Sequence, residues 1–373
     1  MVVELCDDKK LWDQFVENSP QGLLFHKWDF LKTVERHSRY QLVPYCIYSG
    51  EELRCIFPFF ITRRFGLTQV WSPPPLQTQI WYLGMAFDPS VQGLKAIAKE
   101  EIFGQVTGEL CREIDKIAPN SVSFTTVPNF IDVRSFIWKN FTARLRFTYA
   151  IDLKKSLDEI WTSFTGHCRQ EIKRVSAHSP EIQQTNDVSA LLDIWRPRFS
   201  ELGIKVPLLS NSYLEELVAA FPQDMTVYNL SIDGRIATAS AYCVMQRERY
   251  CGWIGNVSTR KDLSVNDYLI WEVVKRAKAE GFKTLDLGTS HERLSRFKSK
   301  FNPELEPYCI VEKYDALGKI ARFTYPKLVG ASLRVKQILL RRGNHESDSF
   351  GARPATAKAI DAGATQPPTK PEK

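Results

Sequence analysis

No apolar run in this chain of 373 residues is long enough to cross a bilayer. The longest, Cys55 to Ile61, is already interrupted by Pro58. The first ten residues, MVVELCDDKK, are acidic and polar and lack the apolar stretch of a secretory signal. A cytoplasmic protein is therefore expected, with peripheral contact to the inner face of the membrane left open. The eight cysteines, at 6, 46, 55, 111, 168, 243, 251 and 309, contain no C-x-x-C and no cluster. That spacing predicts reduced, mostly buried thiols rather than a disulfide framework. The six histidines never pair at ligand spacing, so neither a zinc site nor a metal-dependent mechanism is expected. No Ser-His-Asp or Cys-His arrangement at recognised spacing occurs, which points away from a covalent enzyme intermediate.

What is present suits a globular protein of two domains. Apolar residues make up 43% and charged residues 25%, and nine Trp and 22 Phe provide large surfaces for a core. The net charge of +7 is modest, and its placement matters more. Seven basic residues and no acid fall between Lys319 and Arg342 (319, 322, 327, 334, 336, 341 and 342). They read as a solvated basic amphipathic helix, or as a surface for anionic lipid head groups or RNA phosphates. Nothing points to DNA. From Gly343 the sequence lacks the apolar residues needed to pack, so residues 343–373 are expected to be a disordered tail.

Along the chain, helical pattern in KKLWDQFVENSP and GLLFHKWDFLKTVERH precedes a hairpin, LVPYCIYSGEELRCIFPFFITRR, turning at Ser49-Gly50-Glu51. Pro73, Pro74 and Pro75 cannot donate to a ladder, which makes the stretch through Gly84 irregular. A helix from about 91 to 117 and a strand near 121–126 complete a first unit, residues 1–148. A second unit, residues 149–318, repeats that order. Ser156 and Glu159 form a capping box, opening one helix with an apolar stripe of Leu157, Ile160, Trp161, Phe164, Cys168 and Ile172. Strands follow over 225–233, 235–246 and 249–257. A helix then ends at Gly281, before a strand, KTLDLG.

Two stretches carry a resemblance: NDYLIWEVVKRAKAEGFKTLDLGTS and RFKSKFNPELEPY. They resemble the Asn-Asp helix start, the Asp-x-Gly strand end and the Phe-Lys loop of the FemAB-like branch of the GNAT acyltransferase superfamily. GLLFHKWDFLKTV and HCRQEIKRV resemble the entry helix of its first domain and the Arg/Lys helix of its second. The resemblance spans roughly residues 20–315. It implies an α/β (α+β) fold of two tandem GNAT-like domains, each a mixed, mostly antiparallel sheet flanked by helices. It also implies transfer of an acyl or aminoacyl group to an amine, with aminoacyl-tRNA as donor and a phosphate-bearing peptidoglycan precursor as acceptor. Related branches use acyl-CoA and act in polysaccharide or surface-polymer synthesis. No bound cofactor is implied. A non-catalytic RNA- or membrane-binding module on the same fold is the rival reading.

The candidate residues cluster around the basic stretch after Leu285. Asp286 ends a central strand, as an acceptor for the attacking amine or a water, or as a cap for the Gly288-Thr289-Ser290 turn. Lys298, between Phe297 and Phe301, stands in what reads as a loop over 293–300. In the resembling family such a lysine faces the acceptor's phosphate or the reacting carbonyl. His291 is placed for proton transfer. Asn266 and Asp267 are substrate-binding candidates, or else Ser264 and Asp267 are simply a helix-capping pair. Arg169 and Lys173, four apart on a helix flank, are phosphate contacts by resemblance and solvated residues otherwise. Gly288, Ser290 and Trp28 complete the substrate-binding candidates, while His26 reads as a core residue.

The donor has its own signal. The turn Thr259-Arg260-Lys261-Asp262-Leu263-Ser264 has no glycine, whereas a pyrophosphate-cradling turn needs exposed backbone N–H groups. Free coenzyme A should therefore bind more weakly than about a millimolar Kd. Calorimetric titration checks this, and micromolar binding would promote the acyl-CoA donor.

Overall fold

The computed structural model describes residues 1–75, 78–201, 210–289 and 292–322. The first half supplies β1 (Val2–Leu5), β2 (Gln41–Ser49), β3 (Glu52–Arg64), β4 (Leu67–Ser72), β5 (Ala86–Phe87) and β6 (Ser121–Thr125). The second supplies β7 (Thr142–Asp152), β8 (Glu181–Thr185), β9 (Met225–Ile232), β10 (Arg235–Gln246), β11 (Arg249–Ser258), β12 (Thr284–Thr289) and β13 (Glu304–Tyr314). Among the described residues these thirteen strands form one sheet, ordered β1-β2-β3-β4-β6-β13-β7-β12-β11-β10-β9-β8, with β5 beside β3. Only β4–β6 and β11–β12 pair in parallel. The fold is thus the expected α/β class, a mixed and mostly antiparallel sheet flanked by helices.

β13 is what makes the sheet continuous. Ile310–Tyr314 pair with β6, while Glu304–Glu312 pair with β7. Cys309 and Val311 are buried in the core of the first half, among Phe57, Phe59, Val122 and Phe136. Residues 1–318 accordingly form one compact unit, and the boundary expected near residue 148 lies inside β7. The helix Val265–Ala279 buries Leu269, Ile270, Val273, Val274 and Ala277 against the second half. Full burial of each large apolar side chain contributes about 1.5–3 kcal/mol, so this helix is held by packing rather than by propensity.

Several elements differ from expectation, each for a local reason. The helix opened by Ser156 and Glu159 has its capping box but breaks into Leu157–Ser163 and Gly166–Ser176. Thr165 is extended there, and its side chain accepts the Cys168 N–H at 3.3 Å, starting a second helix. The stretch read as a loop over 293–300 is mostly the helix Glu292–Ser299. Ser264 makes no side-chain cap. Its hydroxyl donates to Glu171 at 2.8 Å, and Asp267 pairs with Lys300 instead of capping. β1, β8, β13 and the helices Ser189–Glu201 and Asn211–Ala220 carry patterns too short or too mixed to stand out in the sequence. Among the described residues no helix is long and apolar enough to cross a membrane. The basic stretch and the tail lie outside the described residues from residue 323 onward.

Candidate active site

The second half of the sheet opens at one place. β11 and β12 pair only where Arg249–Cys251 face Thr284–Asp286, although β11 runs on to Ser258 and β12 to Thr289. On its other edge β11 meets β10 through three register shifts, two of which each place an extra residue in β11 between Gly252 and Val257. Such bulges bend a strand and leave backbone groups unpaired, so β11 leans away from β12 beyond Cys251.

Asp286 stands at the point of parting and is fully buried. Its Oδ1 accepts from the Thr148 hydroxyl at 2.5 Å and from the Gly288 N–H at 2.7 Å, and its Oδ2 from Arg249 at 3.0 Å. Arg249 also donates to Glu306. Burial alone would lower the guanidinium's pKa, but Asp286 and Glu306 outweigh it and raise the value. This buried triad joins β11, β12 and β13. Three acceptor positions of the Asp286 carboxylate are thus taken by protein groups, one of them the N–H of the turn that the sequence offered it to cap.

The next turn is held from both sides. Gly288 has φ +77°, and a Cβ there would fall 2.3 Å from the Trp81 ring. Trp81 comes from the irregular segment of the first half, and its neighbour Tyr82 packs edge-on against Tyr308, with ring centres 5.1 Å apart. Lys298, only 9% exposed, donates to the carbonyls of Gly288 at 2.8 Å and Thr289 at 2.7 Å. Its Nζ also lies 5.6 Å from the centre of the Tyr149 ring, whose hydroxyl meets Ser295 at 2.7 Å. Burial pushes the Lys298 pKa down to about 8, with Asp286 pulling it back toward the charged form.

Asp286 accepts the Gly288 N–H and Lys298 donates to the Gly288 carbonyl, so the two meet on one turn. Concavities of about 530 Å³ and about 290 Å³ lie elsewhere, the first beside Lys27 and Arg247, the second beside Phe87 and Phe130. The other candidates spread out. Asn266 accepts from Thr238 at 2.8 Å. Asp267 is buried, and Lys300 holds it at 2.5 and 2.6 Å. Burial raises the Asp267 pKa, with Lys300 opposing. Both residues therefore anchor the start of the helix Val265–Ala279. Arg169 is half-buried and Lys173 exposed on the helix Gly166–Ser176, which the Ser264–Glu171 bond ties to that same start. Trp28 packs on Trp12 and beneath Lys32, and its backbone N–H donates to Asp13, at the border of a core that both halves share. His26 is fully buried in that core, and burial lowers its pKa to about 4. Ser290 and His291 lie outside the described residues.

Residues 163–299 match the family model of the GNAT acetyltransferase domain. In fold, the chain is similar to FemX, with a TM-score of 0.64 at 11% identity, covering 83% of this chain and 97% of that one. L-PGS from Bacillus licheniformis gives 0.52 at 14% identity, covering 82% and 91%. The C-terminal domain of an Agrobacterium fabrum protein described as a lysylphosphatidylglycerol synthetase gives 0.53 at 12%, covering 85% and 95%. No curated protein matches the chain. Residues 163–299 thus match a GNAT domain in sequence, and the chain shares its fold with these structures.

The Gly288 turn yields a direct test. Gly288→Ala adds left-handed strain of about 1–2 kcal/mol and overpacking of about 1–3 kcal/mol against Trp81. Denaturant unfolding should show a loss of about 2–5 kcal/mol on that basis. Unchanged stability would show that Trp81 does not seat on the turn.

Proposed function

We propose that the chain moves an aminoacyl or acyl group from an ester or thioester onto an amine of a phosphate-bearing cell-envelope precursor. The observation that carries this reading is Lys298, a buried amine fixed on two carbonyls where β11 and β12 part. With two N–H bonds committed, the one remaining position on nitrogen holds either a proton or a lone pair. A pKa of about 8 populates both forms near neutral pH, which suits proton exchange with a substrate.

The chemistry follows from that placement. The acceptor nitrogen attacks the donor carbonyl, forming the C–N bond and an oxyanion. Backbone N–H groups freed by the β11 bulges are the available donors for that charge. Lys298 takes the proton from the attacking nitrogen. The intermediate then collapses, the bond to the ester oxygen or thioester sulfur breaks, and the leaving atom receives the proton back from Lys298, which returns the amine to its starting form. Asp286 and Arg249 act as positioning residues, because they hold the turn whose carbonyls orient Lys298.

Fold likeness to a protein named for making lysylphosphatidylglycerol favours an aminoacyl over a simple acetyl group. We assign aminoacyl-tRNA as donor, with Arg169 and Lys173 on the face toward its phosphates and acyl-CoA as the competing donor. Work on such a precursor fits a place at the inner face of the membrane.

The pH–rate profile tests the role of Lys298. With Lys298 as proton acceptor, kcat/KM should rise with pH and level off above about 8. Lys298→Ala should lose about a hundredfold or more and the titration with it. Lys298→Arg should recover little, because a guanidinium stays protonated. Recovery by arginine, or a rate that falls above pH 8, would make Lys298 a fixed cation instead.

A further inference from the structure

The hairpin joining β3 to β4 reaches beyond the core. β3 is buried from Cys55 to Ile61, whereas Arg63, Arg64, Phe65 and Gly66 are exposed. Phe65 and Gly66 make the two-residue turn, with φ +52° and +72°, and Arg64 pairs with Leu67 across it. Such a turn prefers Asn or Asp before the glycine, because a left-handed φ strains a bulky residue. Phe65 nevertheless stands there, 77% exposed, with the Arg64 guanidinium 4.7 Å from its ring centre. A strained and exposed aromatic does little for the fold, which points to a partner outside it. Positive charge collects at the same end of the sheet. Gln41 pairs with Ile61, so Arg39, two residues before Gln41, lies at the end where Arg63 leaves the core. Among the described residues none of Arg39, Arg63 and Arg64 is held in an ion pair. The chain also leaves the compact unit here. Thr68 and Asn120 bond each other twice, both at 2.8 Å, and Asn120 bonds Asp315. Gly318 lies so close to the Asn120 carbonyl that a Cβ would fall 1.9 Å from it. The seven basic residues between Lys319 and Arg342 follow in sequence from that point. Of the acids nearby, Asp315 is taken up by Asn120 and Gly318 and Glu113 by Lys116, while Asp115 is exposed.

We propose that this end of the sheet, led by Phe65 and its arginines, docks on a lipid bilayer that carries anionic head groups. The proposal rests on exposure and charge and does not depend on the transfer reading above. A phenyl ring has no polar atom and suits the boundary between head groups and acyl chains, where guanidinium groups beside it stay with the phosphates. Leu317, 58% exposed at the chain exit, adds a second apolar side chain. In sequence, residues 333–342, LRVKQILLRR, set five aliphatic residues among four basic ones. RNA phosphates would engage the cations and leave the aliphatic residues nothing to touch, whereas a bilayer interface takes both. A single protruding turn also falls far short of the roughly 800 Å² per partner that a stable protein interface buries.

Co-sedimentation of the full chain with vesicles tests this. Vesicles of equal parts phosphatidylglycerol and phosphatidylcholine should bind the chain about tenfold or more tightly than vesicles of phosphatidylcholine alone. Raising salt from about 0.1 M to about 0.5 M should remove most of that difference, because the charge attraction is screened. Phe65→Asn should weaken binding about fivefold or more, with no loss of thermal stability, since asparagine suits the turn. Arg63→Gln and Arg64→Gln together should weaken it about 25-fold, about fivefold for each cation removed. Lys298→Ala should bind as the unaltered chain does, which separates this surface from the transfer site. Equal binding to both kinds of vesicle, or binding unmoved by the three substitutions in the turn, would overturn the proposal. So would tighter binding to single-stranded polyuridine than to the anionic vesicles, which would give the cations to nucleic acid.

Discussion

Everything at the site hangs on one buried group, the carboxylate of Asp286. It accepts from Thr148 on β7, from Arg249 on β11 and from the Gly288 N–H of its own turn. Arg249 in turn reaches Glu306 on β13, so four strands converge on a few atoms. Breaking such a buried pair by removing one partner costs about 3–5 kcal/mol, because a charge is left uncompensated. The arrangement holds the end of β12 rigid while β11 is free to bend away.

Lys298 is tuned by that rigidity. Its ammonium is penalised by burial, and two carbonyls presented by the held turn together with the nearby Asp286 charge offset part of the penalty. The result is an amine near the middle of its titration, which neither an exposed lysine nor a lysine directly salt-bridged to a carboxylate would be. Lys300, two residues on, instead pairs directly with Asp267 and docks the helix. The first half of the chain takes part through Trp81, whose ring covers Gly288, and through β6, which shares β13 with β7.

Much of this was legible in the sequence where a pattern is local. The hairpin at Gly50, the capping box at Ser156 and the helix stop at Gly281 all follow from spacing and turn chemistry, whereas the strand expected to end at Asp286 runs on to Thr289. The resemblance pointed to Lys298 and to the Asp286 turn together. Arg249, Glu306, Thr148 and Trp81 carried no signal, because only strand register and the path of the proline-rich segment bring them to Asp286 and Gly288. The same holds for Asn266 and Asp267. Their position at a helix start suggested either capping or substrate, and the partners that settle their structural role, Thr238 and Lys300, are distant in sequence.

The central claim is that burial lowers the Lys298 midpoint from the ordinary lysine range toward neutral pH. Labelling lysines with 13C at Cε and following the Lys298 resonance with pH, assigned by its loss in Lys298→Ala, measures this directly. The structure predicts a midpoint near 8. A midpoint near the ordinary lysine value of about 10.4 would contradict it and leave Lys298 a structural cation.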